Sequence, residues 1–264
     1  MYLTEVIMSD YEHLEKGKKE ARIGLDSEQD IINRINFDKE FHNKMNRCLI
    51  KLGFNVQGRL RARKDDIKTD IFIRINEREE IGVSIKSSTM TSFHQLDRRR
   101  LEEWKDLLNM PKDVFEIIKE ATLRIAKNPR AEFVLEKDRD KIRKFFTDHL
   151  SEVINEIFKR GEKMLKLLII IDKRKRTLYI FRMDDVIRFL IENALNNLHF
   201  TEKGIIKLGE FVSIQRKGGD GKQITISKTD WSHPGNQLQF KFSPLKFAEY
   251  VESTRVIDFH EINY

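Results

Sequence analysis

The chain has 264 residues and a mass of 31.5 kDa, with 50 Lys+Arg against 43 Asp+Glu, a formal charge of +7 and a pI near 9.3. A composition of 39% hydrophobic and 35% charged residues, with only 12 Gly and 4 Pro, supports a full core and excludes disordered, collagenous or low-complexity sequence. The longest apolar run, Leu167 to Ile171, is far short of the ~20 residues that cross a bilayer, the start Met1-Tyr2-Leu3-Thr4-Glu5 lacks a signal-peptide pattern, and the lone Cys48 allows neither an internal disulfide nor a zinc cluster. A soluble cytoplasmic protein is expected, whose positive surplus is compatible with a polyanionic partner without requiring one.

Apolar residues at Ile31, Ile32, Ile35, Phe41, Met45 and Leu49, behind the polar start Asp26-Ser27-Glu28, predict an amphipathic helix from about 27 to 52. It is broken near Asn36, carries Cys48 in the core, and ends at Gly53. From Ile67 to Ile75 the period becomes two, with Ile67, Ile71, Ile73 and Ile75 on one face and Lys68, Asp70, Phe72 and Arg74 on the other. Ile81, Val83 and Ile85 alternate in the same way after the polar stretch Asn76 to Glu80, so a hairpin is expected. The heavily charged segment from about 95 to 161 reads as three helices, punctuated near Pro111 and Asn128-Pro129. A buried strand Leu167 to Ile171, a basic turn Asp172 to Arg176, a strand Thr177 to Arg182 and a helix from Asp184 to about Asn196 follow. A second hairpin is expected from Phe211 to Arg216 and Gln223 to Ser227 around Gly218-Gly219-Asp220-Gly221, and a last strand from Leu238 to Phe242 ahead of Pro244. With no repeat and no long linker, the reading is one mixed α/β domain over 1–264: a core hairpin at about 67–86, a helical region at about 95–161, and C-terminal strands at about 207–243.

A hairpin centred on Arg78 sets Ile75 opposite Ile81, Phe72 opposite Ser84 and Asp70 opposite Lys86. Asp70, Ser84 and Lys86 then share the face turned away from the isoleucines. An Asp, a spaced X-x-Lys on the next strand and a glutamate from a preceding helix are the set used for metal-assisted phosphodiester cleavage. The carboxylate holds Mg²⁺, the lysine and metal activate or orient a water, and the metal offsets charge growing on the phosphate. A facing Asp and Lys is equally the pattern of a plain cross-strand ion pair. No G-x-x-x-x-G-K-[ST] loop is present, His13, His42, His149 and His199 lack metal-ligand spacing, and there is no nucleophile elbow.

These residues resemble the PD-(D/E)XK nuclease core, and the sequence around them is similar to the MspI-like group of type II restriction endonucleases. The likeness rests on Lys68-Thr69-Asp70 leading into Ile73-Arg74, on Ile85-Lys86-Ser87-Ser88, and on Leu238-Gln239-Phe240-Lys241 after a Trp and small polar residues. It covers about 67–97 and 228–242 and leaves the helical region between them unaligned. It implies a restriction-endonuclease-like mixed β-sheet core flanked by helices, with a helical insertion. It further implies Asp70 as a metal-binding aspartate and Lys86 as the lysine near the attacking water. Ser84 stands where most of the superfamily carries Glu or Asp and this group carries an amide. A neutral hydroxyl is a weaker ligand, so Ser84 assists directly or through a water, and the main-chain carbonyl of Ile85 supplies another oxygen. Glu40 is the leading candidate for the compensating acid, with Glu28, Asp65 and Asp66 behind it.

The polar run after Lys86 supplies Ser88, Ser92, His94 and Gln95 as candidate DNA contacts, although Ser92 and Gln95 also have the spacing of a capping box for a helix starting near Phe93. The loop Lys228 to Gln237 falls where the resemblance puts DNA-contacting residues, which marks Lys228, Trp231, Ser232, His233 and Gln237, with Lys241 beyond. Taken alone, it also reads as a plain connection. Basic clusters at Arg59-Arg61-Arg63-Lys64, Arg98-Arg99-Arg100, Lys173 to Arg176 and Arg216-Lys217 are candidates for phosphate neutralisation. The resemblance implies a Mg²⁺-dependent type II restriction endonuclease that cuts both strands of double-stranded DNA at a palindromic site of about four base pairs containing G and C. A cognate DNA methyltransferase is its genetic partner, and a homodimer across the palindrome is allowed. A repair or junction nuclease of the same fold and a catalytically inactive DNA-binding protein are the alternatives.

Overall fold

The structure is a computed structural model that describes residues 25–64, 69–219 and 225–263. Its helices are α1 (25–37), α2 (Lys39–Lys51), α3 (Leu101–Leu107), α4 (Lys112–Lys127), α5 (Arg139–Asp148), α6 (Leu150–Lys159), α7 (Met183–Asn197) and α8 (Pro244–Thr254). The strands are β1 (Arg61–Lys64), β2 (Ile71–Arg74), β3 (Glu80–Ser88), β4 (His94–Arg99), β5 (Leu165–Asp172), β6 (Thr177–Arg182), β7 (His199–Phe200), β8 (Ile206–Leu208), β9 (Val212–Arg216), β10 (Leu238–Phe242) and β11 (Phe259–Asn263). The chain divides into two compact units, one built from the segments up to Met90, Glu162–Asp185 and Ile257 onward, the other from Thr91–Gly161 and Val186–Val256.

The first unit holds a six-stranded mixed sheet in the order β1-β2-β3-β5-β6-β11, antiparallel except between β3 and β5. Helices α1 and α2 cover one face with Ile31, Ile35, Phe41, Met45 and Leu49, packed on Ile71, Ile73, Ile81, Val83 and Ile85 in one apolar cluster. Cys48 lies buried in it, as expected. The helix break falls at Asp38, whose carboxylate accepts the amides of Glu40 and Phe41 at 3.0 Å and so starts α2. Asn36, expected at the break, instead exchanges hydrogen bonds with the main chain of Ala62 at 2.8 and 2.9 Å, tying α1 to β1. Beyond α2, Gly53 takes φ +81, a conformation that suits glycine past a helix end.

The β2–β3 hairpin differs from expectation by two residues of register. Ile71 faces Val83, Ile73 faces Ile81, and the Ile75 amide donates to Glu79, so the turn centres on Glu77 and not Arg78. A shift of two preserves the faces, so the isoleucines stay buried and Asp70, Ser84 and Lys86 stay together on the opposite face. Strand β5 is longer than expected and buried along almost its whole length, as a parallel-paired central strand should be. Gly82 permits its close approach: a Cβ there would lie 2.9 Å from Thr69 Cγ2 and 3.0 Å from the Met164 carbonyl oxygen.

The second unit holds an antiparallel sheet in the order β4-β10-β9-β8-β7. Leu238, Phe240 and Phe242 of β10 turn to its apolar side, where Trp104 meets Phe240 with ring centroids 4.6 Å apart and Phe158 meets Phe242 at 5.2 Å. Several expectations are corrected here. Residues 94–99 form an edge strand, so the helix near Phe93 and its Ser92 cap do not exist. The helical region contains four α-helices, the unexpected break lying at His149 between α5 and α6. Strand β9 pairs with β8 on one side and with β10 on the other, the latter in a ladder from Leu238↔Arg216 to Phe242↔Val212, while Thr225 to Ser227 lie outside any strand and 220–224 lie outside the described residues. Strand β11 follows α8, so β10 is not the last strand.

Candidate active site

Asp70 sits just before β2, and its amide donates to the Val83 carbonyl at 3.0 Å, which fixes its backbone against β3. Its Oδ2 accepts from the Ile85 amide at 2.5 Å, from Ser84 Oγ at 3.2 Å and from Lys86 Nζ at 3.5 Å. Lys86 Nζ also donates to the Ile85 carbonyl at 3.2 Å. Three consecutive residues of β3 thus converge on one carboxylate oxygen. Asp70 Oδ1 accepts from none of the described residues in these contacts, which leaves an oxygen for a ligand beside a lysine ammonium. With the corrected register, Asp70 lies across from Ser84, and Lys86 reaches back from two residues further along.

Among the acids the sequence put forward that lie in the described residues, burial and electrostatics favour Glu28 on α1 over Glu40 as the one beside this cluster. Glu40 points into solvent with its side chain 79% exposed and pairs with Lys44 at 2.7 Å, because the N-terminal turn of α2 turns it away from the sheet. Glu28 pairs with Lys64 Nζ at 3.5 Å. Its carboxyl is held above the ordinary range, first by burial and then by the Asp70 carboxylate, against the opposing ammoniums of Lys64 and Lys86. That mutual influence places Glu28 in the electrostatic neighbourhood of Asp70 and Lys86. Asp65 and Asp66 lie outside the described residues.

Two carboxylates, the Ile85 carbonyl and the Ser84 hydroxyl make a hard, all-oxygen donor set. It suits Mg²⁺, which takes one or two protein carboxylates and keeps several waters. No group of three or more His, Cys, Asp or Glu side chains gathers among the described residues, so an all-protein cage is not present there.

Of the candidate reading residues, Ser88 is buried at the end of β3 and spends its hydroxyl on the Met90 carbonyl at 2.6 Å, a local turn that removes it from solvent. The other candidates belong to the second unit. His233 is 1% exposed and its Nδ1 accepts the Gly235 amide at 2.9 Å, so it shapes the loop from within. Trp231 donates its indole N–H to Glu102 at 2.5 Å and has Lys119 over its ring, while Arg100 holds the carbonyls of Trp231 and Ser232 at 2.9 and 2.5 Å. Lys228 and Ser232 are exposed, the latter hydrogen-bonded to Asp230 at 2.8 Å, and Gln237 is half-buried with its carbonyl taken by the Lys217 amide. Ser92 is exposed in a loop, and His94 lies on β4 opposite Phe242.

Gln95 and Lys241 face each other across β4 and β10, on the polar side of the second sheet. The same side carries Gln239, whose amide donates to Gln95 Oε1 at 2.6 Å, together with Arg98 and Gln215, both directly opposite Gln239. Burial lowers the Lys241 ammonium below its ordinary range. Gln215 was missed by sequence reasoning, although the alternation of Val212, Ile214 and Ser213, Gln215 carries the signal. The Arg98-Arg99-Arg100 cluster splits by the same alternation. Arg98 is exposed, whereas Arg99 is buried in ion pairs with Asp97 at 3.0 Å and Glu156 at 2.6 Å, and Arg100 braces the loop.

No protein-family model and no curated protein matches this sequence. Among solved structures, the chain is similar to the restriction endonuclease MspI, determined in complex with its cognate DNA, with a TM-score of 0.57 and 15% identity over 87% of this chain and 92% of that one. The chain has a restriction-endonuclease-like α/β fold. Among the described residues, no helix is long and apolar enough to cross a membrane.

Proposed function

We propose that the protein is a type II restriction endonuclease that hydrolyses phosphodiester bonds in both strands of double-stranded DNA at a short palindromic site, with Mg²⁺ as cofactor. The observation that carries this reading is the convergence of Ser84, the Ile85 amide and Lys86 on Asp70, with Glu28 alongside, on a fold similar to that of MspI. Asp70, Glu28 and the Ile85 carbonyl would hold the ion, and Ser84 would contribute through its hydroxyl. Bound Mg²⁺ supplies Lewis acidity toward the phosphate and lowers the pKa of water.

The remaining work falls to the chain itself. The Ile85 amide and Ser84 hydroxyl fix the Asp70 carboxylate, so that its Oδ1 is presented in one direction. Lys86, held by Asp70 Oδ2 and the Ile85 carbonyl, places a positive charge beside the reacting phosphate, where it stabilises the growing negative charge and orients the attacking water. Hydrolysis then leaves a 5′-phosphate and a 3′-hydroxyl. In the second unit, Gln95 and Lys241 present an amide and an ammonium suited to base edges, the buried Gln239 orients Gln95 through its hydrogen bond, and the loop at Lys228 and Ser232 is a further contact. A site of about four base pairs containing G and C, a cognate methyltransferase as genetic partner, and a homodimer across the palindrome complete the proposal.

Digestion of a sequenced plasmid with Mg²⁺, followed by mapping of the ends, is the test. Discrete fragments with a common sequence at every cut support the reading, and a smear or cuts only at branched DNA favour a structure-specific nuclease. The Ser84 hydroxyl in place of an acid favours a second reading, an inactive DNA-binding protein, for which duplex binding in Mg²⁺ persists with no cleavage.

A further inference from the structure

On strands β1 to β3, the polar part of the sheet face that carries Asp70 does not end at Asp70. Because side chains alternate along β2, Asp70, Phe72 and Arg74 share one face, and the ladder adds Arg61 opposite Arg74 and Arg63 opposite Phe72. Arg63 lies over the Phe72 ring at 4.6 Å. Glu80 binds Arg63 at 2.8 Å and Arg74 at 3.1 Å, and these contacts, led by the hydrogen bond from Arg63, hold its carboxyl below the ordinary range. At the far end, the α2–β1 loop and the β2–β3 turn enclose an open groove of about 1060 Å³ whose lining includes Arg59, Arg61, Arg74 and Arg78 against Glu77 and Glu79. Arg59 donates to the Asn36 carbonyl at 2.6 Å, while the guanidinium groups of Arg61 and Arg78 have no carboxylate partner among the described residues.

A net positive groove, open to solvent, with two guanidiniums that have no carboxylate partner among the described residues and with Arg74 on the same face of the strand as Asp70, matches a polyanion that runs past the reacting centre. Arg74 lies four residues along the strand from Asp70, about 14 Å at strand rise. That is roughly four phosphate steps along one DNA strand, which advances about 3.4 Å per nucleotide. Arginine suits such contacts, since its planar fork meets phosphate oxygens in pairs and stays charged at every working pH.

We propose that this arginine groove is a second DNA-contact site that grips backbone phosphates of the duplex flanking the cut, on the side beyond β1 and the β2–β3 turn. This rests on the proposed nuclease function. It makes the affinity for flanking duplex a property of the first unit and independent of base sequence.

The test uses Arg61→Gln/Arg78→Gln, which leaves both Glu80 ion pairs intact, and a control, Lys39→Gln/Arg47→Gln, which removes the same charge from exposed positions on α2. Binding of a labelled 30-bp mixed-sequence duplex is followed by fluorescence anisotropy in EDTA from 50 to 200 mM NaCl. The plot of log affinity against log salt is expected to become shallower by about 1.8 in the groove variant, corresponding to two lost phosphate contacts, and to stay near wild type in the control. Equal slopes for wild type and groove variant, or an equal loss in the control, overturn the groove. The two proposals fail separately: a wild type that binds no duplex sinks the nuclease reading, whereas a wild type that binds and cuts with an unchanged variant slope sinks only the groove.

Discussion

The main-chain amide of Ile85 donates to Asp70 Oδ2 at 2.5 Å, so the candidate metal-binding carboxylate is also a structural acceptor for the strand that carries Lys86. The two roles separate by substitution. Asp70→Asn keeps an oxygen for the amide and removes the charge, so cleavage should fall by about 10³-fold, roughly 4 kcal/mol in barrier, with little change in melting temperature. Asp70→Ala should lose as much activity and also about 1–3 kcal/mol of stability, because the Ile85 amide is left without a partner. Single-turnover cleavage and denaturant unfolding of both variants check this.

The two glutamates separate in the same way. Glu28→Gln is expected to raise the Mg²⁺ concentration needed for half-maximal cleavage by at least about 10–100-fold, the range already reached by groups that only support a metal ligand. Glu40→Gln should match wild type within twofold, since Glu40 is solvent-exposed and occupied with Lys44. A Mg²⁺ titration of cleavage rate on both variants reads the difference.

A pH dependence follows from Glu28. Burial and the Asp70 carboxylate raise its pKa, so its protonated form persists to higher pH than in an ordinary glutamate. Mg²⁺ needs the carboxylate, so apparent affinity should fall as pH drops through this raised value, and each bound ion should displace protons. Calorimetric Mg²⁺ titrations in buffers of different ionisation enthalpy should show proton release in wild type and its reduction in Glu28→Gln.

The hairpin that carries the candidate site was legible in the sequence because strand alternation survives errors in register. Moving the turn from Arg78 to Glu77 shifted every pair by two and left Asp70, Ser84 and Lys86 on one face. The sequence hid the choice of acid, because Glu28 and Glu40 lie on successive helices with similar amphipathic patterns, and only the break at Asp38 decides which one faces the sheet. The second unit was less legible. Strand β4 is rich in charge, and its buried ion pair of Arg99 with Asp97 and Glu156 gives it the look of a solvated helix. Likewise, the pairing of β9 with β10 spans a long segment, whereas the glycine-rich turn after Arg216 carries a local hairpin signal that the fold does not use.

Base discrimination should depend on Gln239. Gln239→Ala removes the hydrogen bond that orients the exposed Gln95, and it should cost about 1–3 kcal/mol of preference for the cognate site over single-mismatch sites. Competition cleavage between cognate and mismatched duplexes measures the ratio. Gln239→Glu, which loses the amide donor, should shift the preference without abolishing cleavage.

The loop from Lys228 to Gln237 depends on Asn236, whose side chain accepts from Arg216 Nε at 2.8 Å and donates to the carbonyls of Lys228 at 3.0 Å and Asp230 at 2.6 Å. Because the residue is fully buried, Asn236→Ala strands those partners and should cost about 1–3 kcal/mol. Hydrogen exchange should show the loss concentrated in the loop, with amides of β3 unchanged.

In the proposed function, Asp70 anchors Mg²⁺-dependent cleavage of duplex DNA. Purified wild type and Asp70→Asn, each incubated with linear plasmid in Mg²⁺ and in EDTA, test it most directly. Discrete fragments with 5′-phosphate ends are expected from wild type in Mg²⁺ alone, and none from Asp70→Asn although it still binds the duplex. Cleavage by Asp70→Asn at the wild-type rate, or intact plasmid with wild type in Mg²⁺, would contradict it.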